Sequence, residues 1–385
     1  MQNPVTTLGL AYNHYCEEPF GIHRNDRQQH LYIIGQTGTG KSTLLFNMAL
    51  QDAKQGNGFC LIDPHGDLAA ELAARVGDAC IYWPLADASC NLGYNPLMRT
   101  SSALRPLVAS GLIETLKRQW EDAWGVRMEH LLRHALLALL DQPSMDLRDV
   151  MRLFLEIDFR REVVSRVTDP QVRQFWLEEF PAMNYKNAFD GVAPIANKLG
   201  AFLAHPVVRR AVCEPEEPLR FRHVMDEGKI LIVNLSKGQL GSDIANLMGG
   251  LIVSSITHAA FTRTSSSKRR PFFVYIDEFH NFTTDALADT LSETRKYGLG
   301  LTLSQQHTQQ SSSEVFAGIM GNVGSLIAFR VGATDAPLMA RQLGNVQERD
   351  LVSVSNYQTF VRLMVNGERS KGFSAAMLPL PRDAA

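Results

Sequence analysis

The sequence predicts an α/β fold, a mostly parallel sheet flanked by helices and interrupted by an all-helical insertion. Three observations predict it. Two short buried runs, HLYIIGQ at 30–36 and GFCLID at 58–63, are joined by one segment of helical period, STLLFNMALQDAKQG, which stops at Gly56. From about 100 to 225 the apolar residues recur at helical spacing in SGLIETLKRQWEDAW, MEHLLRHALLALL, LRDVMRLFLEI, QVRQFWLEEF and NKLGAFLAHPVVRRAV. Buried strand-like runs then return: KILIVNL at 229–235, FFVYID at 272–277, LGLTLSQQ at 299–306 and SLIAFRV at 325–331.

Each element has a physical reason. A strand, a helix and a strand with short links pack back on one sheet only as a right-handed parallel crossover. A third run, ACIYWPL at 79–85, adds a further strand. The loss of strand patterning after it marks the insertion, which gives boundaries of 1–97 for the first part of the sheet domain, 98–226 for the helices and 227–385 for the rest. Near the end, the pair Asn366-Gly367 predicts a hairpin turn, followed by an extended tail containing prolines.

Composition narrows the function classes. With 38 Lys plus Arg against 40 Asp plus Glu, the surface as a whole is no basic glove for nucleic acid, so any such contact comes from local placement or assembly. Five cysteines (Cys16, Cys60, Cys80, Cys90, Cys213) without a C-x-x-C pair exclude a disulfide framework and a zinc site of that type. Cys60 and Cys80 are expected in the core. The most apolar segments, 134–140 and 247–256, fall short of the roughly 18 residues that span a bilayer, and no signal pattern opens the chain. The expectation is a cytoplasmic protein with no direct membrane insertion.

The motif Gly35-Gln36-Thr37-Gly38-Thr39-Gly40-Lys41-Ser42 matches G-x-x-x-x-G-K-[ST] between a strand and a helix. That context is what a phosphate-binding loop requires. Glycines let backbone N–H groups of Gly35, Thr37, Gly38, Thr39, Gly40, Lys41, Ser42 and Thr43 converge on phosphate oxygens, Lys41 reaches the terminal phosphates and Ser42 ligates magnesium. ATP and Mg2+ are the expected ligands. Asp277 and Glu278 end a buried strand in VYIDEFHNF, at the carboxyl edge where such a loop lies. Asp277 is expected to hold the metal through water, and Glu278 to orient and deprotonate the attacking water.

Other residues are weighed against plainer readings. Strand alternation lets one of Gln305 and Gln306 face the nucleotide, and Gln306 is favoured as the phosphate sensor. Arg330 reads as a surface arginine or as a finger acting on a neighbouring subunit's nucleotide. His130 and His134, four apart, lack the glutamate of a metalloprotease box and read as a helix-surface pair. Trp120 and Trp124 read as core of the insertion. Lys268, Arg269 and Arg270 read as a solvated charge run in a flexible loop.

Together these residues resemble the HerA/FtsK superfamily of hexameric translocating ATPases, and especially its branch of TraG/TraD-type conjugative coupling proteins. The resemblance rests on GQTGTGKST, IDPHGDLA at 62–69, ILIVNLSKGQLG, VYIDEFHNF, ETRKYGLGLTLSQQ and NVGSLIAFRVGATDA, of which IDPHGDLA is the most discriminating. It implies a RecA-like (ASCE) P-loop core with an extra strand and a catalytic glutamate, and a homo-oligomeric, hexameric ring with active sites between subunits. It also implies Gln306 as sensor and Arg330 as a finger offered in trans. With the loop opening at Gly35, neither the β-barrel of HerA proteins nor the paired membrane helices of coupling proteins is expected ahead of it.

The leading expectation is an ATP-driven motor that moves DNA through a ring pore, with Lys237, Arg295 and Lys296 as candidate pore or interface contacts. A second reading is a HerA-like ATPase that scaffolds and regulates a partner effector such as a nuclease in antiviral defence. A third is the energising ATPase of a type IV-like secretion system.

Overall fold

In a computed structural model the described residues are 4–13, 16–98, 100–183, 185–263, 269–282 and 291–381. Fifteen strands occur among them: β1 (Val5–Asn13), β2 (Cys16–His23), β3 (Leu31–Ile34), β4 (Gly58–Asp63), β5 (Cys80–Pro84), β6 (Leu92–Gly93), β7 (Glu217–Pro218), β8 (Ile230–Asn234), β9 (Phe272–Ile276), β10 (Leu299–Gln305), β11 (Ser325–Ala328), β12 (Gln358–Arg362), β13 (Met364–Val365), β14 (Glu368–Arg369) and β15 (Phe373–Met377). The chain divides into two compact units, residues 1–84, 222–238 and 259–385 in one, and 85–221 with 239–258 in the other.

The first unit is built on an 11-stranded sheet of order β2-β1-β15-β12-β11-β3-β10-β9-β4-β8-β5. From β11 to β5 neighbouring strands run parallel. Their near-continuous apolar sequences follow from burial on both faces: β3, β4 and β9 are buried along their whole length. The helix Lys41–Lys54 covers one face, contributing Leu44, Leu45, Phe46, Met48 and Ala49 to the core.

The antiparallel extension β12-β15-β1-β2 departs from the sequence expectation. The chain's first strands form a hairpin, and β15 from the far end pairs with β1, Gly9 opposite Met377, and with β12, Gln358 opposite Ala376. The expected extended tail is therefore in the sheet as far as Met377. The hairpin at Asn366-Gly367 is present, Met364 opposite Arg369, with both turn residues at positive φ, as a type I′ turn demands. Their N–H groups donate to the Asp26 carboxylate at 2.9 and 3.0 Å.

The extension is fastened by a buried polar cluster. Arg27 forms two bonds to Asp52, at 2.7 and 2.8 Å, and donates to Tyr275 Oη at 2.6 Å and Thr6 Oγ1 at 3.0 Å. Its guanidinium lies 3.7 Å from the Phe273 ring centre.

His30, which enters β3 at φ 62, is a second internal tie. Its Nδ1 accepts from the Leu301 N–H at 3.0 Å, so the ring proton sits on Nε2 and is donated to Leu291 O at 2.8 Å. Burial lowers its pKa to about 4. His258, in the second unit, is lowered to about 4 by the same cause. Both folded values lie below the ordinary 6.5, so the unfolded chain takes up these protons first. Stability is full above pH 6.5 and falls as pH drops toward 4, by up to about 1.4 kcal/mol per pH unit per histidine. Urea-unfolding midpoints should drop between pH 7 and pH 5, and His30→Gln should flatten that slope.

The second unit is helical, apart from the short β6–β7 pair. It begins at 85 rather than 98 and also takes residues 239–258, which the sequence reading left with the sheet. Those residues belong to a 20-residue helix, Ser242–Phe261, that contains the apolar run 247–256. By length and composition this helix could cross a membrane, contrary to the shorter run read from sequence, but 61% of its apolar window is buried inside the protein. Trp120 and Trp124 are only partly buried, not core. Trp120 lines a cavity of about 800 Å³ and Trp124 donates to Glu129 at 2.9 Å. Cys60 is buried, whereas Cys80 is partly exposed.

Candidate functional site

The loop after β3 is held from both sides by the neighbouring strands. Gly35 N–H donates to Gln305 O at 3.3 Å and Gln36 N–H to Arg330 O at 2.8 Å. Gly35 is needed because a Cβ there would sit 2.5 Å from Phe329 Cβ. Gly38 and Gly40 take φ of 75 and 118, left-handed turns that glycine adopts without strain and that build anion-binding backbone concavities. Thr39 Oγ1 donates to Gln36 O at 2.7 Å and closes the turn. The helix Lys41–Lys54 starts with no side-chain cap, so its first N–H groups face the loop's concavity. Lys41, buried, donates to Gly35 O at 2.7 Å and Gln36 O at 3.2 Å. Burial lowers its pKa, against the pull of Glu278 and Asp277.

Parallel pairing brings the acids to this edge. β10 lies between β3 and β9, so the end of β9 is one strand removed from the loop. Asp277 stands 3.4 Å from Ser42 Oγ through Oδ2, and its Oδ1 accepts from Ser304 Oγ and from the Glu278 N–H. Glu278 takes a left-handed conformation, φ 47 and ψ 50, and is buried. Its Oε1 accepts from Gln306 Nε2 at 2.9 Å, while Oε2 makes no hydrogen bond among the described residues and lies at ion-pairing distance, 3.4 Å, from His280 Nδ1. Burial raises the Glu278 carboxyl, opposed by the Gln306 bond. A partly desolvated carboxylate with one oxygen outside any hydrogen bond is equipped to accept a proton.

Gln306 joins the two halves. Its Oε1 accepts from Thr37 Oγ1 at 2.9 Å while its amide holds Glu278, so loop and acid are one step apart. Gln305 points the other way, buried and donating to Tyr32 Oη at 2.7 Å. Alternation along β10 separates the two amides in this manner.

Arg330 lies at the loop of its own chain, donating to Gln36 Oε1 at 3.1 Å and Val354 O at 3.2 Å. Of the other cations, Lys296 pairs with Glu293 at 2.8 Å, Arg269 donates to Lys296 O and Arg270 to Glu227 O, while Arg295 is exposed and Lys237 partly buried. Lys268 lies outside the described residues. His130 bonds Glu179 at 2.9 Å, and the His134 ring stacks on Phe175.

Two residues, Ser304 and Tyr357, escaped the sequence reading, and what Asp63 does within IDPHGDLA is shown only by the structure. Ser304, a small buried polar residue near the end of β10, orients Asp277. Asp63, at the end of β4, accepts from the N–H groups of His65 and Ala69, both at 2.9 Å, which fixes the turn in IDPHGDLA. Gly66 at φ 100 follows, where a Cβ would meet Asn234 Oδ1 at 2.5 Å. Tyr357 packs on Gly40 from the opposite side of the loop, and nothing in its local sequence marks it.

Comparison with known proteins places this geometry. Solved structures of similar fold include the unbound bacterial conjugative coupling protein TrwBdeltaN70, with 18% identity over 94% of this chain and 87% of that one, TM-score 0.68. The plasmid coupling protein TrwB in complex with ADP and Mg2+ matches at 18% identity over 92% and 87%, TM-score 0.67. VirB4 of Thermoanaerobacter pseudethanolicus matches at 13% identity over 99% and 98%, TM-score 0.67. The shared architecture is the RecA-like P-loop core. No curated protein sequence matches significantly. The model of the type IV secretion-system coupling protein DNA-binding domain matches residues 19–362. With most of its length inside that match, the chain belongs to the type IV secretion-system coupling protein DNA-binding domain family.

Proposed function

We propose that the chain is the coupling ATPase of a type IV-like secretion or conjugation apparatus, using ATP hydrolysis to move DNA. The observation that carries this reading is the Thr37–Gln306–Glu278 bridge, which sets a buried carboxylate oxygen without a hydrogen bond beside a phosphate loop. Gly35, Thr37, Gly38, Thr39, Gly40, Lys41, Ser42 and Thr43 supply the cradle and its charge for the triphosphate of ATP. Ser42 would ligate Mg2+ and Asp277 would hold it through water, their 3.4 Å approach placing both groups at one small cation's site. Bound there, the ion supplies charge neutralisation for the phosphates. Glu278 takes the proton of the attacking water, and Gln306 couples that carboxylate to the loop.

Arg330 in its present place steadies Gln36. Delivery to a neighbouring nucleotide, as a finger in trans, would first cost its bonds to Gln36 and Val354. A ring of identical subunits, six by the family resemblance, compensates for a monomer with net charge −2 by repeating few phosphate contacts around a pore. The site then works on the cytoplasmic side. The family match supports DNA as cargo, and the effector-scaffold reading draws no support from any likeness found. The test is the ATPase rate of the assembled protein with and without DNA. Stimulation by DNA without a partner protein is expected. A rate indifferent to DNA, appearing only with a partner protein, would overturn the motor reading.

A further inference from the structure

The acids approach the phosphate loop from one side only, that of β10 and β9. A nucleotide whose terminal phosphate faces Glu278 must therefore send its base toward the other side, where β11 and β12 lie. Tyr357 stands there. It enters β12 at φ 64, a conformation that non-glycine residues avoid and that tends to persist at ligand clamps. Two backbone bonds hold it: its N–H donates to Thr39 O at 2.8 Å, and its C=O accepts from the Met377 N–H at 2.8 Å. Its ring lies on the loop, since a Cβ at Gly40 would be 2.9 Å from Cδ1 and 3.4 Å from Cε1. Yet the residue is 47% exposed, an aromatic side chain fixed beside the cradle with much of its surface open.

The tail after β15 forms the adjoining wall. Asn47, one helical turn beyond Thr43, donates to Leu378 O at 2.9 Å and Pro379 O at 3.0 Å, which draws the tail along the first turns of the loop's helix. Leu380 beside them is 41% exposed.

We propose that Tyr357 is the nucleobase platform of this site, the ring on which the base of the bound nucleotide stacks. The proposal rests on the reading of the loop as a nucleotide site. Stacking reads a flat π-surface and not an edge pattern of donors and acceptors, so ATP and GTP bind alike and CTP binds more weakly.

The test is calorimetric titration of the full chain with ATP, GTP, CTP and inorganic tripolyphosphate. Tyr357→Ala should weaken ATP and GTP about tenfold and leave tripolyphosphate unchanged. Tyr357→Phe should match the parent, and Tyr357→Leu, apolar without a π-face, should resemble Tyr357→Ala. Retained tripolyphosphate binding shows that these variants keep an intact loop. Equal weakening of ATP and tripolyphosphate would overturn the platform by making the ring a mere prop of the loop, and unchanged ATP binding would overturn it outright. If Lys41→Ala bound ATP and tripolyphosphate as the parent does, the loop reading itself would fail, an outcome distinct from both.

Discussion

Glu278→Gln is expected to lower ATP turnover by about two to four orders of magnitude, the range general-base removal produces, while ATP binding survives. The amide keeps the shape of the side chain and can still pair with Gln306, so the loop, Lys41 and the Ser42–Asp277 approach stay in place. What disappears is the oxygen that can take a proton. Because burial raises the parent carboxyl, its proton-accepting form is lost as pH falls through a pKa above the ordinary carboxylate value. The parent rate should then decline on the acid side at a higher pH than an exposed glutamate would give, and the residual rate of the variant should lack that limb. Steady-state turnover across pH, with binding measured separately, checks both. A variant that turned over normally would remove Glu278 from the chemistry.

Arg27→Ala is expected to destabilise the sheet unit by about 3–5 kcal/mol, the cost of leaving a buried charge without its partner. Asp52 is fully buried, and with the guanidinium gone its carboxylate would keep hydrogen bonds from Tyr275 and Asn57 but no ion pair in contact. The stacking on Phe273 is lost as well. The double variant Arg27→Met with Asp52→Leu should recover much of the loss, because replacing both members of a buried pair by apolar groups is often close to neutral. Unfolding midpoints of the three proteins decide this. A shift within about 0.5 kcal/mol for Arg27→Ala would mean that water reaches Asp52 and that the cluster does not fasten the extension.

Much of this architecture was legible because its signals are local. The glycine spacing around Lys41 fixes a loop whose backbone must turn at Gly38 and Gly40, and the apolar run before Asp277 fixes where the acids emerge. Alternation alone chose Gln306 over Gln305. The antiparallel extension was not legible, because β1 and β15 meet across nearly the whole sequence and neither carries a clean alternating pattern. Trp120 and Trp124 were misread for a related reason: helical spacing says that residues share a face, not which face is covered. Arg330 could be ranked but not located, since its partner Gln36 lies almost three hundred residues away. Tyr357 left no trace, its significance arising only when β12 is laid beside β11 next to the phosphate loop.

The central claim is that Lys41 and Glu278 attend one triphosphate. An experimental structure of the assembled protein with a non-hydrolysable ATP analogue and Mg2+ tests it most directly. The account predicts a terminal phosphate between Lys41 Nζ and the Glu278 carboxylate, with Gln306 beside it. A nucleotide seated elsewhere, or a Glu278 turned away from the terminal phosphate, would contradict it.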